Sequence, residues 1–309
     1  MSVPLAYLGI VLIWTTTPLA IKWSGEDVGF LFGVSMRMFI ALIFSLALVM
    51  ILRKAFPWDR KSIQVYLAIG IPLFLAMSFV YWGAQYIPSG LISVLFGLTP
   101  LFTGLLATFW LSEKSFTLPK TVGMLLGFVG LIVIFYQGFA LGPAMLVGMI
   151  SVLAAVFFHS FGTVWVKQVA SELPVYVANT GGLVVASSLY VMSWFILGEE
   201  IPVSVPAHAA YSITYLAIFG SVFGAMLFYY ALKHVSATSI GLLPLITPVS
   251  CLLLGQWLNG EIISTSTMYG TAIILSGLLV YQWSALMKGT VKRFVINPGQ
   301  ILESQQNEK

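Results

Sequence analysis

The sequence predicts an all-α integral membrane protein with ten transmembrane helices in two inverted five-helix repeats. Three observations predict this fold class: a composition poor in charge, ten apolar runs of membrane-spanning length, and one segment that occurs twice. Of the 309 residues, 59% are hydrophobic and only 8% are charged, whereas a soluble domain has about 25% charged residues. These charges are too few to cover a water-facing surface, so the chain is predicted to lie in a lipid bilayer.

Ten apolar runs match the length of a membrane span. A helix needs about 20 apolar residues to cross about 30 Å of hydrocarbon, and the connections between the runs are too short to hold a soluble domain. The predicted spans are 3–21, 29–51, 63–86, 88–111, 118–137, 141–165, 174–197, 207–231, 235–258 and 264–287. The polar tail at 288–309 is predicted to be cytoplasmic and disordered.

The charges of the loops predict the orientation. With a cytoplasmic N-terminus, 12 of the 14 basic residues fall in cytoplasmic loops or the tail, and only Lys22 falls in an outer loop. The outer loops instead contain acidic residues: Glu26, Asp27, Glu199, Glu200 and Glu261. Because short cytoplasmic loops are enriched in Lys and Arg, both termini are predicted to be cytoplasmic.

The segment at 87–113 recurs at 235–261 without a gap. The matched positions include a central Thr-Pro pair and a final glutamate: Thr99-Pro100 with Thr247-Pro248, and Glu113 with Glu261. Five spans cross a membrane an odd number of times, so a second five-helix unit must have the opposite orientation. The two units are predicted at 1–137 and 141–287. Inverted repeats are typical of secondary transporters, which bind substrate near the membrane midplane.

Glycines in the fifth and tenth predicted spans support the same division. Gly123 and Gly130 have the seven-residue spacing of Gly270 and Gly277. Small residues let two membrane helices approach closely, so Gly123, Gly127 and Gly130 are predicted to be helix–helix contacts. The single cysteine, Cys251, lies in an apolar run and is expected to be a packing residue.

These features together resemble the drug/metabolite transporter superfamily, and in particular its EamA-type branch. The shared pattern is an arginine in the second span, followed in each half by a Thr-Pro pair, a glutamate and spaced glycines: Arg37, then Thr99-Pro100, Glu113, Gly123 and Gly130, then Thr247-Pro248, Glu261, Gly270 and Gly277. The resemblance implies a bacterial-type inner-membrane carrier of small metabolites, often an exporter. It also implies a central cavity lined by helices 1, 3, 4, 6, 8 and 9, but it does not name a substrate.

Arg37 is the only permanently charged residue deep within a predicted span, since Lys120 lies at the end of its span. A charge at this depth is costly and usually faces the bundle interior or water. One interpretation is a counter-charge for a substrate carboxylate, or a switch that changes partners between two open states. The other is a structural tie to backbone carbonyls where a neighbouring helix is broken.

His159 is the second polar candidate. A neutral imidazole can hydrogen-bond a substrate, and a histidine can also accept a coupling proton. The alternative is a histidine that only bonds a neighbouring helix. When the first and sixth spans are aligned, His159 falls opposite Trp14, and the implied geometry places both toward the cavity.

Five aromatic residues are candidates for the cavity wall, where apolar surface and a few hydroxyls orient a ligand. They are Trp14, Tyr81, Trp82, Tyr229 and Tyr230. The alternative for each is that it lies at the membrane interface or packs between helices. A further set of residues is predicted to kink helices, because proline removes a backbone hydrogen bond and threonine can bond the freed carbonyl. These candidates are Pro18, Thr99, Pro100, Pro244, Thr247 and Pro248, and bending is favoured over substrate contact.

The sequence lacks the motifs that other classes of protein require. The sequence has no phosphate-binding loop for ATP, no His/Cys metal cluster and no nucleophile–base spacing, so no enzyme, cofactor, metal or nucleic-acid partner is predicted. We expect a carrier, compatible with a monomer, that exports a small carboxylate-bearing metabolite such as an amino acid. A drug or organic-cation antiporter of the same fold is the first alternative, although no Asp or Glu lies deep in a span. A membrane enzyme or assembly factor is a distant one.

Overall fold

A computed structural model describes residues 3–111, 117–169, 173–198, 200–227 and 243–294. All regular secondary structure in these ranges is helical. The helices are α1 Val3–Gly25, α2 Phe30–Ile51, α3 Arg60–Ala84, α4 Ser89–Phe96, α5 Thr99–Trp110, α6 Leu118–Leu141, α7 Pro143–Val169, α8 Val175–Leu197, α9 Ala207–Tyr215, the π-helix π1 Leu216–Phe223, α10 Leu243–Asn259 and α11 Thr265–Phe294.

These elements confirm the predicted all-α membrane fold. Eight helical segments are long and apolar enough to cross a bilayer, and α10 is a shorter apolar helix. Two predicted spans are irregular: the fourth is divided into α4 and α5, and the eighth changes from α9 into π1. The last helix continues to Phe294, beyond its predicted end at 287. The disordered tail from 288 stays a prediction, and 295–309 lie outside the described residues.

Successive spans run in alternate directions because their connections are short. The bundle therefore has two ends, which we call the Glu261 end and the Lys120 end after one residue at each. The Glu261 end contains Lys22, Ser89 and Glu261, whose side chains or backbone groups are in contact. The Lys120 end contains Lys120, whose ammonium lies 5.7 Å from the centre of the Tyr281 ring.

The closest pairing of long helices joins α6 to α11 through the predicted glycines. A Cβ atom on Gly123 would lie 2.5 Å from the carbonyl oxygen of Gly277, and one on Gly130 would lie 2.7 Å from that of Gly270. Such distances are below ordinary contact, so only glycine permits this backbone approach. The predicted small-residue contact is confirmed, and it pairs the two copies of the repeat in reverse order.

The fourth span breaks at Gly97 and Leu98, between α4 and α5. Pro100 has no N–H to donate to the carbonyl of Phe96, one turn earlier. The Thr99 hydroxyl donates to that carbonyl instead, at 2.6 Å. The threonine thus satisfies the backbone group that the proline leaves free.

The other kink candidates lie in continuous helices. Pro18 is inside α1 and Pro248 is inside α10. The Thr247 hydroxyl donates to the Leu243 carbonyl at 3.1 Å, which is not the carbonyl that Pro248 leaves free. Pro244 is the second residue of α10. The turn before it lies outside the described residues, so the kink predicted at Pro244 stays a prediction.

Candidate functional site

Arg37 lies on α2 and is 5% exposed. Its Nε donates a hydrogen bond to the Ser221 hydroxyl at 3.1 Å. Its Nη1 donates to the Tyr81 hydroxyl at a longer 3.5 Å, and its guanidinium carbon lies 6.0 Å from the centre of the Tyr81 ring. The buried guanidinium is therefore held between α3 and π1.

The π-helix shapes this contact. The Ser221 hydroxyl, besides accepting from Arg37, donates to the Leu216 carbonyl at 3.2 Å. The Asn179 side-chain amide on α8 donates to the Ser221 carbonyl at 3.2 Å. Gly220 leaves room for the guanidinium, since a Cβ there would lie 3.3 Å from Arg37 Nη2. π-Helical turns often occur at functional sites. We call Arg37, Tyr81, Asn179 and Ser221 the Arg37 cluster.

The electrostatics of the Arg37 cluster are unusual. A guanidinium remains protonated in proteins, yet both of its side-chain partners in the described structure are neutral hydroxyls. No Asp or Glu in the sequence lies deep within a span. Among the described residues, the hydrogen bonds of Arg37 go to hydroxyls. The cluster thus presents a positive charge in the membrane interior without an acidic partner among the residues described.

His159 lies on α7, where it faces the break between α4 and α5. Its ring is 6.0 Å from the ring of Phe96, the last residue of α4. The adjacent Ser160 hydroxyl donates to the Thr99 carbonyl at 3.3 Å. The His159 side chain is exposed, so it lies outside the buried core of the bundle.

Trp14 has different neighbours from His159. It is half-buried on α1, where it packs against Ile10 and Leu243. The Cys251 thiol donates to the Thr15 carbonyl next to Trp14, at 3.1 Å. Trp14 therefore belongs to the α1–α10 contact, whereas His159 belongs to the contact of α7 with the broken fourth span.

Tyr81 and Trp82 point in different directions, because neighbouring residues of a helix are about 100° apart. Tyr81 is buried against Arg37. The Trp82 ring is half-buried and lies 5.0 Å from the ring of Tyr86, close to the end of α3. The other two aromatic candidates, Tyr229 and Tyr230, lie outside the described residues.

A cleft of about 230 Å³ lies beside α1, α9 and α10. Most of its lining is apolar and includes Leu19, Trp23 and Leu254. A hydrogen bond between the hydroxyls of Thr16 and Tyr215 lies in its wall. The Tyr211 side chain at this cleft is 76% exposed, so the cleft opens on the side of the bundle and is separate from the Arg37 cluster.

Three functional candidates were missed by the sequence pattern. Ser221 and Asn179 are small polar residues of a kind common in apolar helices, and the only signal for Ser221 is its position after Gly220. Glu261 is the end of the repeated segment and gave no sign of a contact with α4. Its side chain is only 7% exposed and accepts from the first residues of α4 as well as from Asn259.

Comparisons with known proteins extend over both halves of the chain. The model of the EamA-like transporter family matches residues 1–136 and again residues 146–282. An uncharacterized transporter of Archaeoglobus fulgidus is 29% identical over 275 residues, covering 87% of this chain and 95% of the relative. The uncharacterized inner membrane transporter YedA of Escherichia coli K12 is 25% identical, covering 89% of each chain.

A further relative and a solved structure agree with this match. The uncharacterized transporter YoaV of Bacillus subtilis is 24% identical, covering 90% of this chain and 96% of its own. A crystal structure that is 20% identical covers 92% of this chain and 99% of its own, with a TM-score of 0.63. At that identity the structural likeness concerns the fold alone.

Proposed function

The chain belongs to the EamA-like transporter family, and we propose that it carries a small carboxylate-bearing metabolite, such as an amino acid, by alternating access. The observation that supports this substrate class is Arg37, a buried cation held by neutral hydroxyls in spans without acidic residues. A carboxylate would supply the missing negative charge. The protein is a membrane transporter, so a charge of this kind in its interior is a candidate for the cargo site.

The geometry of a guanidinium suits a carboxylate. Its five N–H donors form a planar fork that can bind both carboxylate oxygens at once. In the described structure, Arg37 uses Nε and Nη1 for the Ser221 and Tyr81 hydroxyls. Those hydroxyls hold the fork in place and leave donors for a ligand.

The site also favours some apolar bulk in the ligand. Tyr81 lies on one side of Arg37, and the exposed His159 ring lies against the Phe96 ring of the fourth span. We propose that the carboxylate binds at Arg37 when the carrier opens, and that His159 bonds a second polar group of the cargo. Because Arg37 is closed off at 5% exposure, binding requires movement of the surrounding helices.

We propose a bacterial-type inner membrane as the location, with the Glu261 end outside, both termini cytoplasmic, and export as the direction. The distribution of basic residues supports this orientation, since Lys54, Lys61 and Lys120 lie at the Lys120 end. A drug or organic-cation antiporter would need a carboxylate in the membrane as its cation site. The spans contain none, which favours a cargo that is itself acidic.

Counterflow in proteoliposomes tests the substrate class. Liposomes that hold the purified protein are loaded with one amino acid and given the same radiolabelled compound outside. We expect accumulation of at least one carboxylate-bearing compound and none of its amide analogue. Arg37→Ala should abolish accumulation, and Arg37→Lys should raise KM about tenfold or more, because lysine keeps the charge but loses the fork.

The matched control is Arg60→Ala, which removes an exposed arginine at the start of α3. It should leave counterflow unchanged. Absence of counterflow for every carboxylate tested, or full activity of Arg37→Ala, would contradict the proposal.

A further inference from the structure

One carboxylate at the Glu261 end joins three separate helices. Glu261 Oε1 accepts from the backbone N–H of Ser89 at 2.9 Å, and Oε2 accepts from the Ser89 hydroxyl at 2.9 Å and from the N–H of Gly90 at 3.3 Å. The side-chain amide of Asn259 donates to Oε1 at 3.0 Å. The Lys22 ammonium lies 3.8 Å from the same oxygen. These partners come from α4, α10 and α1.

Two additional bonds tie α1 to the same place. The Lys22 ammonium donates to the Ile87 carbonyl at 3.2 Å, just before α4. The indole N–H of Trp23 donates to the Asn259 side-chain oxygen at 3.0 Å. The ends of α1, α4 and α10 are therefore fixed to each other through side chains that all meet at or beside Glu261.

The charge of Glu261 suits this position. The N-terminus of a helix has unpaired N–H groups and a positive dipole end, and both favour a carboxylate. Hydrogen bonds to an ionised acceptor are also stronger than those between neutral groups. Gly255 on α10 makes room, because a Cβ there would overlap the Glu261 carboxylate and approach the Ser89 hydroxyl to 2.8 Å.

Directly below this network, Cys251 lies where the same three helices meet. Its thiol donates to the Thr15 carbonyl of α1 at 3.1 Å, and the adjacent Leu252 lies against Gly90 of α4. The residue is 2% exposed and lies about 12 Å along α10 from Asn259 at 1.5 Å per residue. A path that opened to this depth between α1, α4 and α10 from the Glu261 end would expose Cys251.

The break in the fourth span gives α4 a way to move. α4 ends at Phe96 and α5 begins at Thr99, so α4 is a short rod attached to the rest of its span by Gly97 and Leu98. A rod of this kind can tilt without displacing α5. In the structure it is held at its far end by the Glu261 carboxylate.

We propose that Glu261 is the latch of the Glu261 end: its bonds to Ser89, Gly90 and Lys22 keep this end closed, and their release opens a path between α1, α4 and α10. The latch rests on the alternating-access function proposed above. Glu261 acts here as a positioning residue for the transport cycle, and nothing in the latch requires contact with the cargo.

The native Cys251 reports this opening without an engineered probe. Right-side-out and inside-out membrane vesicles are treated with a membrane-impermeant maleimide, and the rate of Cys251 modification is measured. We expect Glu261→Gln to raise the rate about tenfold from the Glu261 end, because the neutral amide loses the ion pair and weakens several hydrogen bonds. Gly255→Ala should act in the same direction while it keeps the negative charge.

Two controls give the experiment its meaning. Glu26→Gln neutralises an exposed acid at the same end and should label at the wild-type rate. Val203→Cys, made with Cys251→Ala, places a thiol at a fully exposed position in the loop before α9, and its labelling shows which vesicle preparation presents the Glu261 end.

The outcomes separate the latch from the proposed cargo. Wild-type labelling rates in both Glu261→Gln and Gly255→Ala would overturn the latch. An equal increase from both sides of the membrane would also overturn it, because it would show general loosening of the bundle. The assay needs no substrate, so a failure to find counterflow would count against the carboxylate cargo and leave the labelling result unaffected.

Discussion

The two halves of the fourth span have similar composition but different environments. In α4, every residue from Ser89 to Leu95 is buried, whereas in α5 only Leu101 and Ala107 are buried. Both helices consist mainly of apolar residues, with a few hydroxyl side chains. In a bilayer, apolar character does not separate protein-facing from lipid-facing surface, because lipid tails are as apolar as leucine. Burial in this span is therefore decided by specific partners, and α4 has the Glu261 network.

The closeness of the packing differs in the same way. A Cβ on Gly90 of α4 would lie 2.7 Å from the backbone Cα of Leu252 on α10. A Cβ on Gly104 of α5 would instead meet the hydroxyl end of the Tyr281 side chain. Backbone cannot move aside, but the end of a side chain can. The comparison thus predicts that equal substitutions in the two halves have unequal costs.

The largest effect is expected from Gly90→Ala. The added methyl group must push α4 away from α10, and overpacking of this kind costs about 1–3 kcal/mol. Gly104→Ala, the matched change in α5, should lower the midpoint of thermal unfolding in detergent by less than half as much. Unfolding is followed by size-exclusion chromatography after heating. Equal shifts of the midpoint in the two variants would contradict the difference between α4 and α5.

A smaller effect is expected from removing one hydroxyl. Ser89→Ala deletes one of several bonds to the Glu261 carboxylate, and we expect a cost of about 1 kcal/mol, that of a typical hydrogen bond. Its backbone N–H remains bonded to Glu261, so part of the contact survives. Thr108→Ala in α5 deletes a hydroxyl that bonds only its own helix, at Gly104. The same unfolding assay should show a clear loss for Ser89→Ala and almost none for Thr108→Ala.

The smallest effect is expected at a second helix that begins at a carboxylate. Asp59 caps α3 by accepting from the N–H groups of Lys61 and Ser62 and from the Ser62 hydroxyl. Unlike Glu261, it is fully exposed and local in sequence, so water screens it. Asp59→Ala should lower the unfolding midpoint by about 2 °C or less.

The pH dependence of that cap has a definite sign. The hydrogen bonds from Ser62 lower the pKa of Asp59 below its usual value. The stabilisation is therefore present above the unfolded pKa of about 4 and is lost as the pH falls below it. Unfolding midpoints measured between about pH 6 and pH 3 should fall more in wild type than in Asp59→Asn. Parallel curves would show that the cap contributes nothing through its charge.

Periodic and phased features of the sequence predicted much of the fold. Span length located most described helices to within a few residues. Gly123 and Gly130 were predicted to be close helix contacts, but their partner helix α11 was not. Those features depend on the order of residues within one helix, so they can be recognised in the sequence. The extension of α11 to Phe294 was missed, because charge alone was used to end the helix at 287.

The site was predicted less well, and the reasons are physical. Arg37 stands out as a charge in an apolar run, and Tyr81 was among the aromatic candidates. Ser221 becomes a partner only because π1 turns it toward Arg37, and a π-helix has no sequence period of its own. Glu261 binds Ser89 across 172 positions of sequence. A contact of that range depends on how the helices assemble, so the glutamate was assigned to the end of its own helix.

The glycine crossing of α6 and α11 has one more consequence. Gly123 faces the carbonyl of Gly277, and Gly277 in turn faces the carbonyl of Gly123, with the same reciprocity for Gly130 and Gly270. Exchanging the two helices leaves these glycine–carbonyl contacts unchanged. Contacts that are the same from either side have equal free energy in two arrangements related by a two-fold rotation, so they do not set the resting preference of the molecule. That preference must come from residues of one repeat that have no counterpart in the other. Among the described residues, Arg37 and its hydrogen bond to Ser221 of π1 are the clearest example.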